Sequence, residues 1–308
     1  MYKLLKKISN RIKKIQTYIK CLTGLSKLNE QVDTLYFYLN KYVDITKLPP
    51  TDDEALREMQ LCDATLLAIF DKLCKKHEIR YWMDFGTLLG AVRHKGFIPW
   101  DNDIDITLPR VDYEKSLDLF PQELSKYGID YKEKEDGMMQ RIGLSVQHEK
   151  TGIWIDVFPI DEYRSNEKCV DIREALVKRM MKYRRYYLRH YKKSSLQEMT
   201  DAKKRIVGEG QGTNVILWQN VEFQHDGIYL FDYDEIFPLR QLLFEGYMLN
   251  TPNRTEDVLS QEIHNYMSFP KTGLFHHTHL KGLASIYGIN LKAIREKLEI
   301  VLNDLQNN

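Results

Sequence analysis

Trp100-Asp101-Asn102-Asp103-Ile104-Asp105-Ile106-Thr107-Leu108-Pro109 alternates polar and apolar side chains with a period of two, the spacing of a half-buried strand. Ile104, Ile106 and Leu108 then take one face and Asp103, Asp105 and Thr107 the other, so two carboxylates share an open edge. Adjacent like charges oppose each other's ionisation, and a hard divalent cation with oxygen ligands relieves the conflict. A lone D-x-D is more often a solvated strand face. A third carboxylate shifts the balance. In Ile153-Trp154-Ile155-Asp156-Val157-Phe158-Pro159 the same alternation buries Ile153, Ile155 and Val157 and turns Asp156 the other way. Ile142, Leu144 and Val146 alternate as well, and His148-Glu149-Lys150-Thr151-Gly152 is a Gly-ended loop. Residues 141–158 are therefore expected to form a hairpin whose second strand lies beside the Asp103/Asp105 strand.

Upstream, Tyr81-Trp82-Met83 reads as a short strand, and Asp84-Phe85-Gly86-Thr87-Leu88-Leu89-Gly90-Ala91-Val92-Arg93 as a turn opening a helix capped near Thr87. Such a start offers free backbone N–H groups to an anion. The residue order is not that of a P-loop, which is excluded. With Arg93, His94 and Lys95 between the helix start and the acids, these are the components of metal-assisted phosphoryl transfer.

The order Gly-Thr, then D-x-D, then a distant Asp on another strand resembles the nucleotidyltransferase superfold. More closely, the run from Phe85 through Gly86-Thr87, Arg93-His94-Lys95-Gly96 and Trp100-Asp101-Asn102-Asp103 to Ile106 resembles the LicD family, to which fukutin-related transferases are distantly similar. Pro109-Arg110, Asp112-Tyr113, Trp154 to Pro159, Phe237-Pro238-Leu239, Phe244-Glu245-Gly246 and Pro252 follow in that family's order, so the resemblance spans residues 78–280. The family usually shows Asp-Asp-Asp-Ile-Asp. Here Asn102 replaces the middle acid; its strand parity is opposite to that of Asp103 and Asp105, so the metal site is expected to survive and only a supporting role to be lost.

The resemblance implies an α+β (mixed α/β) fold, a nucleotidyltransferase-like mixed sheet flanked by helices with an N-terminal helical extension. It implies transfer of a phospho-substituent, typically phosphocholine from CDP-choline, to a hydroxyl of a cell-surface glycan, lipopolysaccharide or teichoic acid precursor, with Mg²⁺ or Mn²⁺. Asp103 and Asp105 would hold the metal on the donor pyrophosphate. Asp156 would complete the site and help deprotonate the acceptor. The Gly86 and Thr87 amides would hold a donor phosphate, with Arg93, His94 and Lys95 as further phosphate contacts. Trp100 reads as core filler before it reads as a stacking surface for a base or a quaternary ammonium. Three alternatives stay open: another CDP-activated alcohol phosphate such as ribitol or glycerol phosphate, nucleotidyl transfer, or a silent member of the fold that binds glycan or nucleic acid. Retention of all three acids argues against the last.

The rest of the chain sets bounds. With 308 residues, 43% apolar and 29% charged, and only 16 Gly and 9 Pro, disordered and collagen-like classes are excluded. The expected division is a basic helical extension over 1–50, a catalytic domain over 51–285 and a closing helix over 286–308, with Thr51 or Asp52 capping a helix that runs to about His77. No apolar run reaches the roughly 18 to 20 residues that span a bilayer. A cytoplasmic protein, peripheral on the inner membrane face, is expected. Cys21, Cys62, Cys74 and Cys169 are too few and scattered for a disulfide framework and read as free thiols.

The first twenty residues hold seven Lys and Arg and no Asp or Glu, which against a whole-chain charge of +1 leaves −6 on the remainder. Leu5, Ile8, Ile12, Ile15, Ile19 and Leu22, and then Leu28, Val32, Leu35, Leu39 and Val43, form a heptad-like seam. Packing or self-association through residues 1–43, an anionic membrane face and a nucleic-acid arm are the three readings of this arm, nucleic acid being the least favoured. The basic, aromatic run from Lys178 to Lys193 reads as a helix with a solvated basic face ahead of a nucleic-acid or anionic-glycan platform. Gly208-Glu209-Gly210-Gln211-Gly212 leads into a strand, where a dinucleotide fingerprint needs a helix, and is read as a loop. His264 and His276-His277-Thr278-His279 lack acidic or Cys partners at metal-ligand spacing.

Overall fold

The computed structural model describes residues 24–133, 142–146, 152–219, 227–270 and 290–307, in two units. In the smaller, a helix α1 over residues 24–42 exposes Leu28, Val32 and Leu35 of the expected seam and half-buries Leu39. The Phe269 N–H donates to Asn40 Oδ1 at 2.8 Å within this unit. The arm before residue 24, Cys21 and His276 to His279 lie outside the described residues.

The larger unit is mixed α/β, as expected. Its sheet runs β1 (Trp82–Met83), β2 (Ile104–Pro109), β5 (Trp154–Ser165), β4 (Ile142–Val146), β3 (Ile129–Glu133). β2 and β5 are parallel and the other neighbours antiparallel. The predicted 141–158 hairpin is β4 and the start of β5, and β5 does lie against β2. Its twelve residues reach further than the alternation suggests. Beyond the β2 pairing, Asp161 to Ser165 pair with β6 (Asn214–Gln219), which pairs in turn with β7 (Tyr229–Asp232). Among the described helices, α2 (Glu54–Lys76), α3 (Phe85–His94), α4 (Arg110–Ser125), α5 (Cys169–His190), α6 (Leu196–Val207), α7 (Tyr233–Ile236), α8 (Thr255–Glu262) and α9 (Leu291–Asn307) belong to this unit, with a hairpin β8 (Arg240–Phe244) and β9 (Tyr247–Thr251).

Helix α2 is the spine. Asp53, one residue after the expected caps, accepts the Ala55 and Leu56 N–H groups. The helix buries Met59, Leu66, Leu67, Ile69, Phe70 and Leu73 in the core formed with Ile104, Ile106, Ile155 and Val157. The closing helix α9 adds Leu291, Leu298 and Leu302 to that same core and fixes itself to α2 through Arg295 Nε and Glu58 at 3.1 Å. A second core lies between α5, α6 and β6, with Leu176, Met180, Tyr183, Tyr187, Met199 and Trp218. Tyr183 and Tyr187 of the basic run are buried there while Lys182, Arg185 and Arg189 face solvent. The run is therefore an amphipathic helix, as read. Cys62, Cys74 and Cys169 are free and buried.

Between α3 and β2 the chain turns at Lys95, which has a left-handed φ of 56°. Gly90 allows this turn to close, because a Cβ there would stand 2.5 Å from the Gly96 carbonyl oxygen and 3.2 Å from Ile98 N. The neighbour is backbone and cannot swing away. Gly90→Ala is expected to lower stability by about 1 to 3 kcal/mol or more and to loosen the approach to β2. Urea denaturation of the two proteins measures it, and an unchanged midpoint would contradict the packing described.

Candidate active site

Parallel pairing sets Asp105 of β2 directly beside Asp156 of β5, a strand spacing of about 5 Å. On the far side of Asp156 stands Gly143 of β4, which has no side chain to cover it. Asp105 is held through its backbone: its N–H donates to Thr87 Oγ1 at 2.9 Å and its carbonyl accepts the Asp84 N–H at 3.0 Å. The carboxylate is left to the site. Asp101 and Asp103 share its partly open parity while Asn102 and Ile104 are buried, which bears out the parity assigned to Asn102.

Two expectations are corrected. Thr107 does not join the open face: it is fully buried, and its hydroxyl donates to Asp84 Oδ2 at 2.5 Å. Thr87 is not the cap of α3, which starts at Phe85 after Asp84, because the Thr87 hydroxyl is engaged with β2. Gly86 faces the Asp101 carboxylate, and a Cβ there would stand 2.9 Å from Asp101 Oδ2.

The three proposed phosphate cations sit at the other end of α3 from Gly86 and Thr87, a separation of about 10 to 12 Å at 1.5 Å per residue. Arg93 is buried, and desolvation pulls its pKa down to about 10. Burial and the Arg93 charge lower His94. Lys95 is exposed. Trp100 packs partly buried on the core. His264 is exposed.

The structure gathers acids that sequence reading missed. Asp84 is fully buried; its Oδ2 also accepts Gln219 Nε2 at 3.0 Å, and that amide reaches Glu262 Oε1 at 3.5 Å. Asp63 of α2 is fully buried, and the Asp103 charge acts on it. Desolvation raises Asp63, Asp84, Asp101, Asp105 and Glu262 above the usual carboxylate range; Asp103 adds to the shift at Asp63, Asp101 and Asp105, and Asp156 at Asp105. Among the described residues no Lys, Arg or His forms an ion pair with these five or with Asp103. Of the acids missed, Asp101 and Asp84 stand next to stretches the sequence had marked, and nothing in the local pattern of α2 flags residue 63.

Helix α2 also places the loop that leads into β2. Gln60 Nε2 donates to the Asp101 carbonyl at 2.8 Å, and Gln60 Oε1 accepts Arg57 Nη1 at 3.1 Å. Arg57 in turn grips Glu245 at 2.9 and 2.6 Å, and Glu245 accepts the Phe97 N–H at 3.1 Å. Glu245 and Gly246, both with positive φ, make the tight turn between β8 and β9. This gives Phe244-Glu245-Gly246 a physical task, the support of the loop before the acidic strand.

The donor set is all oxygen, and buried Asp63 Oδ1 and Oδ2, Asp84 Oδ1 and Glu262 Oε2 have no hydrogen-bond partner. Uncompensated carboxylates of this kind fit a hard divalent cation. Among the described residues no three His, Cys, Asp or Glu side chains form a closed ligand cluster.

Residues 78–203 match the family described as LicD/FKTN/FKRP, nucleotidyltransferase domain. "Lipopolysaccharide cholinephosphotransferase LicD" of Haemophilus influenzae is 33% identical over 127 residues, 37% of this chain and 48% of that protein. "Uncharacterized protein RP689" of Rickettsia prowazekii is 35% identical over 86 residues, 26% of this chain and 32% of the relative. "Ribitol 5-phosphate transferase FKRP" of Homo sapiens is 57% identical over 28 residues, 9% of this chain and 6% of the relative. The chain thus spans half or less of the length of these relatives.

Proposed function

We infer from residues 78–203, which match the family described as LicD/FKTN/FKRP, nucleotidyltransferase domain, that this protein is a phosphotransferase that moves phosphocholine from CDP-choline to a hydroxyl of a surface-glycan precursor. The observation that carries the reading is the side-by-side placement of Asp105 and Asp156, with Asp103 two residues before Asp105, inside the family-matched segment. The cholinephosphotransferase relative favours choline on the donor, and the shorter likeness to a ribitol phosphate transferase keeps a CDP-activated alcohol as the wider class.

Asp103, Asp105 and Asp156 would hold Mg²⁺ or Mn²⁺. Such a cation supplies charge neutralisation at the donor phosphates and the leaving CMP. The protein's own residues do the rest. Asp84 and Thr87 fix the backbone of Asp105, and the α3 amides at Gly86 and Thr87 offer N–H groups to a donor phosphate. Asp156, on the less crowded side next to Gly143, accepts the proton of the attacking hydroxyl. Arg93 reaches the donor's outer end from the far turn of α3. Among the described residues no helix is long and apolar enough to cross a membrane. The reading assigns the seam of 1–43 to an anionic membrane face, which loss of vesicle pelleting on deleting residues 1–25 would support.

Release of CMP from CDP-choline in the presence of Mn²⁺ and candidate glycan acceptors tests the reaction. CDP-choline is expected to outperform CDP-ribitol and CDP-glycerol by at least about tenfold in kcat/KM, or ~1.4 kcal/mol of transition-state discrimination. Pyrophosphate release from a nucleoside triphosphate, with no CMP from any CDP-alcohol, would replace this reading by nucleotidyl transfer.

A further inference from the structure

Two side chains hold the loop of residues 95–101 that leads into β2, and Arg57 holds both. The first is Glu245, at the tip of the β8–β9 hairpin. Its N–H donates to the Lys95 carbonyl at 2.9 Å and its Oε1 accepts the Phe97 N–H at 3.1 Å. It lies so close over Gly96 that a Cβ there would overlap its carboxylate. The second is Gln60, which is 0% exposed and donates through Nε2 to the Asp101 carbonyl at 2.8 Å. Residue 101 closes a turn, its N–H donating to the Ile98 carbonyl at 2.9 Å, and stands two residues before Asp103.

Each of these side chains has another way to point. A carboxylate at a hairpin tip can turn to solvent, and an amide can exchange the places of its oxygen and nitrogen. Arg57 decides both. Its Nη1 and Nη2 donate to the two oxygens of Glu245 at 2.9 and 2.6 Å, a fork that fixes the plane of the carboxylate. Nη1 also donates to Gln60 Oε1 at 3.1 Å. Because a guanidinium only donates, the amide must present its oxygen to Arg57 and its N–H to Asp101. Arg57 and Glu245 both lie outside the family-matched residues 78–203. We propose that Arg57 is a positioning residue for the acidic edge: through Glu245 and Gln60 it sets where the chain enters β2, and so where Asp103 and Asp105 stand at the donor. Its effect on turnover rests on the phosphotransferase reading given above, and its effect on the loop rests on the hydrogen bonds alone.

The test compares wild type, Arg57→Lys and Arg57→Ala with Arg295→Ala, which cuts the ion pair from α9 to Glu58 of α2 and leaves the loop alone. Lysine keeps the charge but cannot form the fork. Both Arg57 variants are expected to lower kcat for CMP release about 10 to 100-fold, the scale of an ångström-sized misplacement, with KM for CDP-choline unchanged within about twofold. They are also expected to speed deuterium exchange over residues 96–103, followed by mass spectrometry. Arg295→Ala is expected to lower the melting temperature and to change neither kcat nor that exchange. Wild-type kcat in Arg57→Ala would overturn the proposal while leaving the wider reading intact. So would equal losses of kcat in Arg295→Ala, or failure of both Arg57 variants to fold, since either would make residue 57 a matter of stability alone. Absence of CMP release by wild type would overturn the phosphotransferase reading, and the exchange comparison then decides on Arg57: unchanged exchange in Arg57→Lys overturns its hold on the loop, and faster exchange confined to the Arg57 variants supports it.

Discussion

Asp105→Asn lowers the rate of CMP release by about 10³-fold, equivalent to ~4 kcal/mol of transition-state stabilisation, while the protein keeps its fold. Both halves of this expectation come from one arrangement. The groups that hold residue 105, the Asp84 N–H and the Thr87 hydroxyl, bind its main chain. Asn keeps that main chain and nearly the same volume. What it removes is the negative charge beside Asp156. Desolvation, Asp103 and Asp156 all work against ionisation of Asp105, so the metal-free variant melts at a temperature equal to or above that of wild type. Circular dichroism melts beside the CMP assay decide the matter. Wild-type turnover would remove Asp105 from the chemistry, and a collapsed melting temperature would make it a structural residue.

Asp161→Asn destabilises the protein by about 3 to 5 kcal/mol at pH 7, the scale for stripping one partner from a buried ionic cluster. The Asp161 carboxylate accepts Arg110 Nε at 2.7 Å, Arg110 Nη2 at 3.0 Å and Lys203 Nζ at 3.2 Å. Lys203 is only 8% exposed and lies against the rings of Tyr183 and Trp218. Removing the carboxylate leaves its ammonium charge inside the second core. Burial opposes ionisation of Asp161, but Arg110 and Lys203 outweigh it and hold its pKa well below the usual carboxylate range. A native pKa below the unfolded value of about 3.9 means that the carboxylate's stabilisation is complete above pH 4. It is lost as pH falls from there toward the native value. The stability gap between wild type and Asp161→Asn is therefore wide at pH 7 and narrows below pH 4. A gap that stays constant down to pH 3 would show that shape, not charge, is what residue 161 contributes.

Strand periodicity carried much of the site. Alternation over 104–108 and 153–157 places Asp105 and Asp156 on strands, and their pairing follows because both strands hide the same kind of apolar face. Helix periodicity carried α2 to within two or three residues of its ends, and found α5 and α9 but not their starts, at Cys169 and Leu291. What periodicity misses is decided by partners distant in sequence. Thr107 has the parity of an exposed residue, yet Asp84, the residue that precedes α3, draws its hydroxyl inside. Thr87 has the chemistry of a helix cap, yet β2 claims its oxygen. Asp63 is one polar residue in a buried helix, and only the fold sets the Asp103 charge against it. The family resemblance located Glu245, and only the Arg57 contact explains it.

β5 belongs to both cores: its first half lines the sheet at Asp156 and its second half carries Asp161 into the layer with α5 and α6. Loosening either layer therefore pulls on a strand that the other still grips. Hydrogen-exchange protection should fade along β5 as one block, and a protease that nicks the α5–α6 side would silence the acidic edge some five residues away as surely as a cut beside it.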